Sequence, residues 1–193
     1  MVKLDVITTR GGDQGETSLG DGTRLRKDAA RIEAMGAVDE ANAALGLLRL
    51  QTTAEPEADA MLARMQNDLF DLGADLCVPG GVPGAAEGRL RVTLAQCLRL
   101  EQELAGMNAE LPALRSFVLP GGTAAAAAAH LARTLARRAE RAVVALAAAE
   151  PVNPEAVRYL NRLADHLFVL SRRLHGNGAG DVLWVPGGVS GGA

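Results

Sequence analysis

Arg133, Arg137, Glu140 and Arg141 recur at spacings of four, three and one in "RTLARRAER" (133–141). On a helix those spacings put all four on one face. Asn161, Asp165, Phe168 and Arg172 do the same at spacings of four, three and four in "YLNRLADHLFVLSRR" (159–173). Clustered arginines can hold a phosphate through bidentate, charge-assisted hydrogen bonds. The same pattern also describes a solvated helix surface laced with ion pairs.

A third stretch carries the same ambiguity. "TTRGGDQGETSLGDGTRLRK" (8–27) holds five glycines, four threonines and one serine, with only Leu19 and Leu25 clearly apolar. Glycines let successive N–H groups close around an anion, and hydroxyls add donors. No standard phosphate motif is present. "GETSLGDG" has glycines at Walker-A spacing, but Asp21-Gly22 stands where Lys-Ser/Thr is required. "GDGTRL" lacks the last glycine of the dinucleotide fingerprint. Lys27 is one of only two lysines among twenty basic residues; it is either a phosphate ligand or an ordinary surface charge.

The elements that must position these groups are helical. Apolar periodicity predicts helices from about Asp28 to Gln51, Glu57 to Leu76, Thr93 to Ala109, Thr123 to Glu150 and Pro154 to Leu174. Asp28 and Thr123 are candidate N-caps. "CVPGGVPGAAEG" (77–88) and "LPGG" (119–122) break the chain. No strand pattern of convincing length is expected. Val157, Leu160, Leu163, Leu167, Leu170 and Leu174 form a core stripe opposite Asn161 and Phe168. Periodicity and loop length predict an all-α chain, an up-and-down, five-helix antiparallel bundle. The expected organisation is a single domain over 1–193: an N-terminal binding segment (1–27), the bundle (28–176) and a glycine-rich tail (177–193). Trp184 is expected to dock part of the tail, with its end loose.

Composition narrows the function. With 193 residues, 48% apolar and 22% charged, the chain can pack a core. The 3% aromatic content and abundant alanine favour close helix packing. A formal net charge of −3 gives no reason to expect nucleic-acid binding. No apolar run reaches the length of a membrane span. Two cysteines, Cys77 and Cys97, make neither a zinc pattern nor a disulfide framework. With no signal-type opening, the cytoplasm is the expected location. None of His130, His166 and His175 follows a glutamate at Glu-x-x-His spacing, which weakens a di-metal reading of the bundle.

Taken together, "TRGGDQGETSLGDGTRLRKDAARIEAMGAVDEANAALG" (9–46), "FVLPGG" (117–122), "RTLARRAER" and "YLNRLADHLFVLSRR" resemble, in order and spacing, the PduO-type ATP:cob(I)alamin adenosyltransferases. The resemblance covers most of the chain. It implies an enzyme that transfers the 5′-deoxyadenosyl group of ATP to the cobalt of reduced cobalamin and releases triphosphate. It also implies a homotrimer with active sites between subunits. Mg²⁺ is expected mainly through the ATP phosphates.

The resemblance assigns Thr9, Arg10, Gly11, Gly12, Thr17, Ser18 and Lys27 to the triphosphate and counts Asp13 among the cofactor-binding residues. Arg137, Glu140 and Asn161 become nucleotide contacts from the helices, with Arg138 and Arg141 close by. Asp39 and Arg133 resemble a pair joining subunits beside the corrinoid, and Phe117 and Phe168 the apolar wall under the cobalt. Without the resemblance Phe117 reads as a core aromatic. Gly11 departs from the usual threonine, and Ala164 from a common serine. The Asp-x-His-x-x-Gly motif of proteins that ligate cobalt by histidine is absent. A flavin-type reductase and an adenosylcobalamin-dependent enzyme are the expected partners. The alternatives are a non-catalytic helical cobalamin carrier with ATP as regulator, and a plain helical interaction protein.

Overall fold

The computed structural model describes residues 7–80 and 90–188. The centre of the expected break after residue 77 and the last residues of the tail lie outside them. The chain is mostly helical. Two short strands, β1 (Glu16–Ser18) and β2 (Arg24–Arg26), precede α1 (Ala30–Arg49), α2 (Pro56–Leu76), α3 (Leu94–Ala109), α4 (Ala124–Ala147) and α5 (Pro154–Arg173). The five expected helices are present. The strands correct the expectation that none would form. β1 and β2 pair antiparallel in the register Glu16↔Arg26, Thr17↔Leu25, Ser18↔Arg24.

Local chemistry explains the boundaries. Thr123 caps α4 by accepting from Ala126 N–H at 3.1 Å, and Asn153 caps α5 by accepting from Glu155 N–H at 3.1 Å. Thr93 and Gln96 form a capping box at α3, with Thr93 N–H donating to Gln96 Oε1 at 2.8 Å. Asp28 does not cap α1. That position belongs to Ala29, which offers no side-chain acceptor. Asp28 instead receives Arg26 on both oxygens, at 2.9 and 2.6 Å. A strand-borne arginine within reach outcompetes the helix N–H groups for the carboxylate.

α1 packs on α2 and α4, α4 on α5, and α5 on α3. The α1–α4 contact is built from small residues. Ala34, Ala37 and Ala41 of α1, and Ala129, Ala132, Ala136 and Ala139 of α4, are all buried. Leu45, Leu62, Met65, Leu69, Leu100, Leu160, Leu163 and Leu167 fill the rest of the core. Arg31 is buried and donates to Leu76 O at 2.6 Å while pairing with Glu150 at 2.8 Å. The start of α1 and the ends of α2 and α4 therefore meet.

Two buried carboxylates tie in the outer helices. Asp68 accepts from Tyr159 Oη at 2.8 Å and from Arg99, joining α2, α5 and α3. Burial, with Asp68 beside it, raises the Tyr159 phenol well above its ordinary value. Asp75 accepts from Val92 N–H at 2.9 Å, Asn153 Nδ2 at 2.7 Å and Arg91 Nη1 at 2.5 Å. No described helix is long and apolar enough to cross a membrane.

Candidate active site

The glycine-rich segment is ordered by the hairpin. Leu19, at the turn, is buried, although the segment reads as almost free of core residues. Its N–H donates to Thr23 O at 2.8 Å, and Gly20 N–H donates to Cys77 O at 2.9 Å. The hairpin thus hangs from the C-terminal end of α2. A Cβ on Gly20 would come within 3.1 Å of the Val78 side chain, so a larger residue here would have to push that side chain aside. Before β1, Arg10 takes a left-handed φ of 59°, a conformation uncommon outside glycine. Asp13 N–H donates to Arg10 O at 3.2 Å. Lys27 N–H closes the base of the hairpin on Gly15 O at 2.8 Å. The Lys27 ammonium lies over Gly12, where an added Cβ would meet Nζ at 2.9 Å. The sequence elements 9–13 and 27 are therefore brought together.

On the helices, Asn161 Nδ2 donates to Glu140 Oε1 at 2.9 Å, which registers α5 against α4. Arg138 turns to α1 and pairs with Glu40 at 2.6 Å and Glu33 at 3.3 Å. It is separated from the face of Arg133, Arg137 and Arg141. Arg133 is half-buried, and its Nε has no acceptor among the described residues. Burial first, and Arg137 second, hold its guanidinium below the ordinary arginine value.

Most arginines of the bundle have carboxylate partners, among them Arg31, Arg49, Arg64, Arg91, Arg99 and Arg172. Among the described residues, the cationic side chains with neither ion pair nor hydrogen bond are Arg10, Lys27, Arg115, Arg133, Arg137 and Arg141. All but Arg115 carry a phosphate, nucleotide or subunit assignment from the sequence. Unpaired cations on one helix face repel each other and are stabilised by an anion.

Phe117 is 75% exposed, which corrects its reading as a core aromatic. It lies on an extended segment whose Val118 bridges Leu183. Trp184 N–H donates to Phe117 O at 2.7 Å, Ser116 Oγ donates to Trp184 O at 2.7 Å, and the two rings lie 6.0 Å apart. The tail docks through Trp184 as expected. Phe168 sits edge-on to His130 at 6.3 Å. His130 is buried with no partner for Nδ1 among the described residues, and lines a cavity of about 170 Å³ with Val118, Gly122, Ser171, His175 and Asp181. Burial first, then Arg133, push its imidazole below the ordinary histidine value.

Asp39 is exposed and makes no hydrogen bond or ion pair among the described residues. It borders a largely apolar groove of about 490 Å³ between α1 and α2, lined also by Ile32, Met35, Phe70 and Gly73. Within one chain Asp39 and Arg133 do not pair.

The sequence pattern of the cobalamin adenosyltransferases matches residues 7–174. The chain belongs to that family. A cobalamin adenosyltransferase of Cupriavidus metallidurans is 48% identical over 94% of this chain and 95% of its own length. A corrinoid adenosyltransferase of Mycobacterium tuberculosis is 47% identical over 97% of this chain and 96% of its own. Among solved structures, a variant PduO-type ATP:corrinoid adenosyltransferase from Lactobacillus reuteri, complexed with cobalamin and ATP, superposes with a TM-score of 0.86. It is 32% identical, over 93% of this chain and 96% of that one.

Sequence reasoning missed the anchoring role of Leu19, the contacts of Arg24 and the position of His130 beside Phe168. Only the first had a usable signal, an isolated leucine between two glycine-rich flanks.

Proposed function

We propose that this adenosyltransferase builds its active site from the hairpin segment, the arginine face of α4 and the Phe117–Phe168 wall, and that it acts as a trimer. The reaction transfers the 5′-deoxyadenosyl group of ATP to the cobalt of cob(I)alamin. The observation that carries the site assignment is the set of unpaired cations, Arg10, Lys27, Arg133, Arg137 and Arg141, in a chain whose other arginines are mostly neutralised.

The cobalt electron pair of Co(I) attacks C5′, the C5′–O bond breaks, and its electrons leave on the triphosphate oxygen. Cobalt becomes formally Co(III) in adenosylcobalamin. No side-chain base is required. The protein holds C5′ in line and neutralises the leaving group. Thr9 to Gly12, Thr17, Ser18 and Lys27 receive the phosphates, with Asp13 beside them. Arg137, Glu140, Arg141 and Asn161 hold the nucleotide from the helices. Arg138, tied to Glu33 and Glu40, braces α4 behind them. Mg²⁺ would come with ATP, held mainly by the phosphate oxygens. There it would spread the charge of the departing triphosphate. Phe117 and Phe168 exclude water and the lower axial ligand, leaving a four-coordinate Co(II) that is easier to reduce.

The meeting of Arg31 with Leu76 and Glu150 supports the up-and-down arrangement of a single domain over 1–193. Unpaired Asp39 and unpaired Arg133 support a pairing across subunits. Two free thiols, Cys77 and Cys97, fit the cytoplasm. A flavin-type reductase supplies the electron, and an adenosylcobalamin-dependent enzyme takes the product. The test is to mix ATP with chemically reduced cobalamin and follow loss of the Co(I) spectrum together with triphosphate release. ATP binding without either signal would return the carrier reading.

A further inference from the structure

Arg24 carries no role in the assignments above, yet its guanidinium spans the proposed phosphate cradle. Nη2 donates to Gly11 O at 3.0 Å and to Glu16 Oε2 at 3.3 Å, and Nη1 makes a longer contact to Ser18 Oγ at 3.4 Å. Arg24 sits on β2 directly opposite Ser18, so the hairpin register aims it back over the segment before β1.

The peptide bond is planar and trans, so the Gly11 carbonyl and the Gly12 N–H point in opposite directions. Binding the carbonyl fixes the direction of that N–H. Neither Gly11 nor Gly12 donates its N–H to an acceptor among the described residues. Likewise, a Ser18 hydroxyl that accepts from Arg24 keeps its hydrogen free to donate. Glu16 neutralises the guanidinium, which favours its use on the loop over its use on an anion.

We propose that Arg24 is a positioning residue for ATP: it holds the Gly11 carbonyl and Ser18 hydroxyl so that the Gly12 N–H and Ser18 O–H meet the triphosphate already oriented. This rests on the cradle reading under Proposed function. Gly11 gives it particular importance here. A loop without a threonine side chain at that position depends more heavily on an outside clamp to select one peptide orientation.

The test uses the full-length enzyme with Arg24→Ala and Arg24→Lys. Hydrogen exchange of residues 8–18 is measured without nucleotide. ATP KM and kcat are measured with pre-reduced cobalamin, and inorganic tripolyphosphate binding by calorimetry. In R24A, exchange of 8–18 should rise while that of the helices stays unchanged. ATP KM and tripolyphosphate Kd should rise about tenfold with kcat nearly constant. Lysine, which keeps a cationic donor on β2 without the guanidinium fork, should recover part of the loss. A raised KM with unaltered exchange in R24A would make Arg24 a direct phosphate ligand and overturn the positioning role, as would unchanged KM. Wild-type enzyme that binds neither ATP nor tripolyphosphate would overturn the cradle itself. The nucleotide-free exchange comparison still reads the Arg24 clamp in that case. If R24A melts earlier than wild type, R24K carries the comparison.

Discussion

Phe117 presents most of its ring to solvent, so its truncation leaves no core cavity. Phe117→Ala should therefore change stability by roughly 0.5 kcal/mol or less, against the 3–5 kcal/mol of a buried phenylalanine. Adenosylation that starts from Co(II) and a reductase should collapse in this variant. Adenosylation from pre-reduced Co(I) should be largely kept, because the nucleophile is already made. Equal losses from both starting states, with the melting temperature unchanged, would remove Phe117 from control of cobalt coordination. Arg137→Ala and Lys27→Ala should each weaken ATP use by about ten- to a hundredfold, the value of one charge-assisted contact. Neither variant should melt early, since neither side chain has a partner to lose among the described residues. Unchanged ATP kinetics in either variant would end its assignment.

His130 adds a pH dependence at the same scale. Burial, followed by Arg133 and His175 and partly offset by Asp181, disfavours its charged form in the folded chain. The unfolded chain then binds more protons at this position. Its effect on stability is absent well above the ordinary histidine value of about 6.5 and becomes destabilising as pH falls through it. His130→Gln should flatten the fall of melting temperature between about pH 7 and 5. A profile identical to wild type would assign that fall to other groups.

At the scale of elements, the hairpin depends on one apolar anchor. Leu19→Ala should release the turn from the end of α2, raise ATP KM and leave the helical circular dichroism signal intact. A normal KM would mean that the segment finds its place without the anchor. This element also marks the limit of what could be read from the chain. The helices are legible because their apolar residues repeat over about four to seven turns. Thr123 is legible as a cap because its oxygen stays free to accept from Ala126 N–H while its hydrogen goes to Leu174 O. Asp28 was misread because Arg26 claims it, and the strands were missed because three residues present a single alternation, Thr17 opposite Leu25. The pairing of Asp39 with Arg133 rests on resemblance alone, since no local pattern would mark residues whose partners lie in another subunit. Asp75 tests the same end of α2 from inside the bundle. Removing a buried carboxylate that serves Arg91, Val92 and Asn153 should cost about 3–5 kcal/mol, read from denaturant unfolding of Asp75→Ala.

At the scale of the whole molecule, the apolar α1–α2 groove beside Asp39 and the unpaired Arg133 are what the proposed subunit contact would cover. Light scattering should report a trimer. Asp39→Arg should dissociate it or leave it assembled without activity, because two guanidinium groups would then face each other. An active, trimeric Asp39→Arg variant would separate Asp39 from the interface.

The strand-like pairing of Val118 with Leu183 also sets an order in time. The segment that backs Phe117 is the last described part of the chain to leave the ribosome, after all five helices are complete. A nonsense codon at about residue 182 would therefore spare the bundle with its Arg172–Asp181 pair, the hairpin and every unpaired arginine while deleting the partner of one edge. Such an allele would be selectively defective: able to consume Co(I) and ATP in a cuvette, yet failing in a cell that must begin from Co(II). A clone of that length that supports growth on an adenosylcobalamin-dependent carbon source would show that the tail is dispensable.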